Sequence, residues 1–250
     1  MIALTFDIEP DIHSNEYLGI KKGIPRILSI LNKHNIKATF FTTCDCIKKY
    51  PQIFQKLKKE NHEIALHGYI HERFDTLSYA EKEEKIKNSI KCFKKYLKIL
   101  PSGFRAPQHS IDNETLNLLE KYNFAYDSSY SPFNILQILF FPIKKQSYIH
   151  FFSPINKYKK GNLTEIPTSS FFMPFVSLVF RAFPQFLISF YFFILNLFSK
   201  NQVFYAHSWD FIDVQGRIAK AFPKEKLISN FESFLEKNKN TKYCLMRDLI

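Results

Sequence analysis

Short apolar runs alternate with longer stretches of helical periodicity along the first two-thirds of the chain, the layout of βα units built around parallel strands. Strands are predicted at Ile2 to Phe6, Ala38 to Thr42, Glu63 to Leu66 and Gly103 to Arg105, with a late one at Val203 to Ala206. All are short and mostly apolar, as strands covered on both faces must be. Helices are predicted at Gly23 to His34, Cys46 to Glu60, Tyr79 to Leu97, Asn113 to Tyr122 and Lys224 to Lys237. In the third of these, Ile86, Ile90, Phe93 and Leu97 recur at helical spacing while Lys and Glu fill the other faces. Ser78, with Glu81 three residues later, forms a capping-box pattern at its start. No repeat, low-complexity linker or composition break divides residues 1–250, so a single α/β domain is expected.

The stretch from Phe171 to Phe198 is the most apolar part of the chain. A spanning helix needs about 20 apolar residues, and Arg181, Pro184, Gln185 and Asn196 interrupt this one. Three readings stay open for it, in decreasing order of weight: a helix packed on the domain, a surface in peripheral contact with lipid or membrane, and a true span.

Composition changes this picture little. A hydrophobic share of 46% over 250 residues supports one sizeable core. The net charge of +12 would attract nucleic acid, anionic lipid or phosphate-bearing substrates. The lysines are spread over amphipathic segments, where solvated outer faces account for them. No arginine-rich arm or zinc finger accompanies the charge, and nucleic acid is not expected as a partner. Of Cys44, Cys46, Cys92 and Cys244, the closest pair is separated by one residue, too close for a zinc knuckle, so reduced buried thiols are expected. The chain opens on Met1-Ile-Ala-Leu-Thr-Phe-Asp7, with neither a basic nor an apolar leader segment, and a cytoplasmic location is the default expectation.

The candidate chemistry sits where the predicted strands end. His67-Gly-Tyr-Ile-His71 follows the run Glu63 to Leu66, and two imidazoles four residues apart can face one ion from a helical turn or tight loop. Alone this pair is weak evidence. Thr5-Phe-Asp7-Ile-Glu9-Pro-Asp11 strengthens it, because residues i and i+2 of an extended segment point to the same side and carry Asp7 and Glu9 into one cavity. One carboxylate would complete a mixed nitrogen and oxygen coordination sphere and the other would stay free as a base; an acidic turn capping the next segment is the plainer alternative. Gly103-Phe-Arg105-Ala-Pro107 supplies a guanidinium whose planar fork suits a carboxylate such as Asp7, against the alternative of a surface salt bridge. Phe204-Tyr-Ala-His207-Ser-Trp209-Asp210 places a further histidine at a strand end.

These four motifs, in this order, resemble those of the polysaccharide deacetylase family, also called the NodB-homology domain or carbohydrate esterase family 4. The resemblance runs from Asp7 to His207. The family's Thr-Phe-Asp block is met by Thr5-Phe6-Asp7, its His-x-x-x-His block by His67 and His71, its Arg-x-Pro block by Arg105 and Pro107, and its late Leu-x-His block by Tyr205-Ala206-His207. It implies a distorted (β/α)7 barrel with the site at the C-terminal ends of the strands. It also implies Asp7 as catalytic base, His67 and His71 as metal ligands, Arg105 as the residue orienting the base, and His207 as general acid. Two departures stand out. The common first motif has a metal-binding Asp directly after the base, where this chain has Ile8, so the third ligand falls to Glu9 or Asp11. The family's fourth motif is not recognisable; Glu165-Ile-Pro167 lies in the right region, and Asp210 is another candidate partner for His207.

The implied activity is a hydrolase that uses a divalent ion, zinc first, to remove an N-acyl group, acetyl first, from an amino sugar in a polysaccharide or lipid-linked glycan. Two alternatives accompany it: a deformylase or cyclic amide or imide hydrolase on the same scaffold, and a non-catalytic carbohydrate-binding protein in which Ile8 marks a decayed site.

Overall fold

Ile2–Ile8 form β1, and all seven residues are buried. Two environments produce this. Leu4, Phe6 and Ile8 point out towards covering helices and belong to the main apolar core, whereas Ala3, Thr5 and Asp7 point the other way. The same alternation repeats along β2 (Thr39–Thr42), β3 (Glu63–Leu66) and the late strand β10 (Gln202–His207), which line up in parallel with β1.

The structure is a computed structural model and describes residues 1–11, 16–135, 150–213 and 223–250. After β1 come α1 (Ile24–Lys33), β2, α2 (Cys44–Lys49), α3 (Pro51–Lys59), β3 and α4 (Tyr79–Leu97). Then follow β4 (Gly103–Phe104), α5 (Asn113–Lys121), β5 (Tyr126–Asp127), β6 (Tyr158–Lys160), β7 (Leu163–Glu165), β8 (Ser170–Phe171) and β9 (Met173–Pro174). The chain continues through α6 (Ser177–Ala182), α7 (Gln185–Phe198), β10, α8 (Lys224–Lys237) and β11 (Tyr243–Cys244). The sheet order is β10-β1-β2-β3-β4-β5-β7-β6, with β11 beside the start of β1; only β6 runs antiparallel. Seven parallel strands therefore follow one another round a curved sheet. The space between β7 and β10 is bridged by an irregular stretch instead of a ladder. Thr168 N–H donates to the Tyr130 carbonyl on one side, while Ser169 N–H donates to Val203 O and Tyr205 N–H to Phe175 O on the other. This is the distortion of the expected (β/α)7 barrel.

The bottom of the inward face is plugged by Phe41, Ala65, Tyr126, Val203, Met246 and Leu249. Gly103 is dictated by that plug, since a Cβ there would lie 1.9 Å from the Tyr126 ring. Outside, aromatic rings interlock between sheet and helices; Phe204 stacks on Phe231 at 5.2 Å and meets Phe180 edge-on at the same distance.

The expected helix from Cys46 to Glu60 is two helices. Pro51 starts α3 and cannot donate back into α2, and Tyr50 before it sits at φ −133°, outside the helical region. The apolar stretch 171–198 resolves into the β8–β9 hairpin and two helices parted at Phe183-Pro184. No helix among the described residues is long and apolar enough to cross a membrane.

Candidate active site

The strand ends bring the candidate residues together through register. Asp7 pairs with His207 across β1 and β10, and Leu66 pairs with Phe104 across β3 and β4, so His67 and Arg105 leave their strands side by side. Arg105 is fully buried and reaches across to Asp7, with Nη1 2.7 Å from Oδ1. The rest of the guanidinium is equally committed. It donates to Thr5 Oγ1 at 2.9 Å, to the Ser128 carbonyl and Oγ at 3.1 Å each, and lies 4.0 Å over the Phe41 ring. Such a fork fixes its partner's direction as well as its charge. Burial works against the Asp7 carboxylate, but Arg105 first, then His67 and His207, hold its pKa below the ordinary value. One oxygen of Asp7 is thus pinned, and the other faces His67 Nε2 at 3.9 Å.

Glu9, His67 and His71 form the second half of the site, with one ligand atom from each lying within 4.8 Å of the others. Glu9 Oε2 is 3.5 Å from His67 Nε2 and in direct contact with His71 Nε2. His67 Nδ1–H donates to the Arg105 carbonyl at 2.8 Å; a carbonyl can only accept, so Nε2 is the nitrogen left to face Glu9. Glu9 is buried, and its Oε2 finds no hydrogen-bond donor apart from the imidazoles that crowd it. An orphaned carboxylate oxygen among two imidazole nitrogens fits a divalent ion of the zinc type by donor chemistry. Burial opposes the Glu9 charge, yet His67 and His71 together keep its pKa well below the usual range. The loop that carries the pair is strained where it turns. Gly68 has φ +80° and His71 φ +70°, the left-handed region where a side chain costs energy. Asp11 lies elsewhere: its carboxylate accepts from the Leu18 and Gly19 amides and caps the segment leading into α1.

On the opposite wall, His207 stacks flat on Trp209, with centroids 4.3 Å apart, and points Nε2 towards Glu9 Oε1 at 3.8 Å. Its Nδ1 lies 3.5 Å from Asp210 Oδ2, which also accepts from the His207 amide and from Ser177 Oγ at 2.6 Å. Burial alone would discharge this imidazole. Asp210 and the nearby charges of Glu9 and Asp7 outweigh it and push the pKa up to about 9. His207 is therefore a held proton beside a pinned carboxylate.

The polysaccharide deacetylase profile matches residues 1–126, just over half of the chain. The chain belongs to the polysaccharide deacetylase family. A peptidoglycan deacetylase of Helicobacter pylori is 30% identical over 120 residues, which cover 48% of this chain and 41% of that protein. The matches cover between about a fifth and two-fifths of the length of the curated relatives. Among solved structures, a Mycobacterium smegmatis protein assigned to the polysaccharide deacetylases superposes with a TM-score of 0.71 at 18% identity, over 96% of this chain and 84% of that one. An allantoinase superposes with a TM-score of 0.70 at 14% identity, over 99% and 88%. At such identities these two share the fold.

The matched half of this deacetylase-family chain contains Asp7, Glu9, His67, His71 and Arg105; His207 comes from the other half. Several supporting residues escape a reading of the sequence. Ser128 and Ser129 clamp Arg105 and the Ala106 amide from the end of β5, a strand too short to announce itself. Behind them Asp127 and Glu165 lie buried together. Burial raises the pKa of both carboxyls, and the charge of Asp127 raises that of Glu165 further. Glu165 accepts from the Tyr130 amide and stands apart from His207, whose acidic partner is Asp210.

Proposed function

We propose that this chain is a metal-dependent amide hydrolase that removes an N-acyl group, acetyl first, from an amino sugar within a polysaccharide or a lipid-linked glycan. The observation that carries this reading is the face-to-face arrangement of a pinned, ionised Asp7 and a charged His207 on either side of the Glu9, His67 and His71 cluster. A divalent ion held by Glu9, His67 and His71 would supply Lewis-acid chemistry, lowering the pKa of water and polarising the amide carbonyl.

The residues of the chain divide the remaining work. Arg105 leaves Asp7 Oδ2 as the free basic oxygen, and this oxygen takes the proton of the attacking water as its new C–O bond forms. His207 gives its proton to the sugar nitrogen as the C–N bond breaks, which turns a poor amide leaving group into a neutral amine. Asp210 and Trp209 keep the imidazole charged and turned towards the cluster. The products are a free carboxylic acid and an amino sugar that becomes an ammonium at neutral pH.

His67→Ala should lose both bound zinc and amine release from acetylated hexosamine oligomers. Asp7→Asn should keep zinc, measured by elemental analysis, and lose turnover. Unchanged turnover in either purified variant rejects the assignment. The fold shared with an allantoinase makes a cyclic ureide and formyl-sugars proper members of the substrate panel.

A further inference from the structure

Helix α7 carries apolar side chains on both of its faces. Ile188, Tyr191 and Leu195 face the domain and are buried, as the inner stripe of a packed helix should be. The outer stripe, where polar residues belong, is Phe186, Phe190, Phe193 and Leu197, each between 58% and 70% exposed. No charged residue occurs in the helix. The surface continues beyond it. Phe198 stacks on Phe171 at 4.3 Å, Phe171 meets exposed Phe172 at 4.5 Å, and Phe133 and Phe151 link Phe171 to Phe152, which is 77% exposed. Taking about 200 Å² for each such side chain, the open part amounts to roughly 1,000 Å². The largest apolar patch on an ordinary monomer is about 300–600 Å².

Charge indicates what covers it. Between Asp127 and Asp210 the chain has one acidic residue, Glu165, against seven basic ones. Glu165 is buried, so this third of the chain presents no carboxylate to solvent, while Lys157, Lys159 and Lys200 are exposed. Lys157 and Lys200 adjoin the residues that meet the end of α7, since Asn156 donates to the Phe198 carbonyl and Lys200 lies two residues beyond it. A second copy of the chain would bring the same positive rim against itself, at a net charge of +12 each. An anionic bilayer meets both demands, accepting the aromatic stripe at the acyl boundary and the lysines among its headgroups. With 14 residues, α7 is about 21 Å long, short of a hydrocarbon core of about 30 Å, which suits a helix lying in the interface.

We infer that α7 and the adjoining Phe152, Phe172 and Phe198 form a docking surface for anionic phospholipid membranes. The surface is independent of the proposed hydrolysis. It lies on the flank of the site, because the β8–β9 hairpin that it includes leads into Val176, which bridges to Tyr205 of β10 two residues before His207.

The test is sedimentation with vesicles of mixed phosphatidylglycerol and phosphatidylcholine, compared with phosphatidylcholine alone. The protein should pellet with the first, less so in high salt, and weakly or not at all with the second. The triple variant Phe190→Ser, Phe193→Ser, Leu197→Ser should bind about a thousandfold more weakly, as each side chain withheld from the acyl layer forfeits about tenfold. Phe152→Ser, at the far edge, should weaken binding less without touching α7. Wild-type protein that ignores both vesicle types, or variants that bind undiminished, would overturn the inference. A dimer in sedimentation velocity that the triple variant dissolves, without vesicle binding, would assign the surface to a second copy and equally overturn it. None of these readouts depends on amine release, so hydrolysis and docking fail separately.

Discussion

At the residue scale the site depends on which charges are held and which are free. Asp210 is the residue that sets the proton on His207, and Asp210→Asn should move the basic limb of the pH profile of kcat/KM down from near 9 towards the ordinary histidine value of 6.5. A limb that stays near 9 in that variant would mean that another group carries it. The same shift bears on stability. The folded value of His207 lies above its ordinary value, so its contribution is complete below 6.5 and lost as the pH rises through about 9. Replacing Arg105 has a different signature. Arg105→Met leaves Asp7 buried without its partner, which costs about 3–5 kcal/mol. Chemical denaturation should show that loss together with an Asp7 that titrates higher; an unchanged unfolding midpoint would contradict the clamp. Asp7, His67, Arg105 and His207 were legible as candidates in the sequence because each follows an apolar run, and His71 because it stands four residues after His67. Ser128, Ser129 and Ser177 were not, because a hydroxyl after a two-residue strand or at the start of a six-residue helix carries no periodic signal.

At the element scale, the loop that carries His67 and His71 depends on Gly68. A Cβ there would stand 3.0 Å from Pro107 and would have to adopt φ +80°. Gly68→Ala should therefore lower the melting temperature by about 2–8 °C and weaken zinc uptake, read by thermal shift and isothermal titration; a neutral result would show that the turn tolerates a side chain. Helix α4 and strand β3 occupy the residues expected of them, since a capping box, a 3.6-residue period and a bounded apolar run are all local signals. The broken α2–α3 pair shows the limit of period alone. Its apolar stripe continues across residues 44–59, but Pro51 interrupts the backbone ladder. Strands β5 to β9 are two or three residues long, and at that length alternation has nothing to repeat over.

At the scale of the whole molecule, the deacetylase-family match ends as β5 is entered, and the rest of the chain completes the barrel through a seam instead of a continuous ladder. That later part contributes His207, the proposed proton donor, and the exposed aromatic face, which reaches the wall of the site through the Val176–Tyr205 bridge. The parallel layout was visible in the spacing of the strands, whereas the closure was not, because it is made by backbone groups of residues 168–176 whose side chains follow no pattern. The account as a whole depends on an ion seated between the first strand and the histidine loop. Anomalous diffraction at the zinc edge from crystals of zinc-loaded protein tests this most directly. The account predicts one strong peak bonded to Glu9, His67 and His71, with Asp7 close by and not among the ligands. A peak at Asp11 or another site, or none despite saturating zinc, would contradict it.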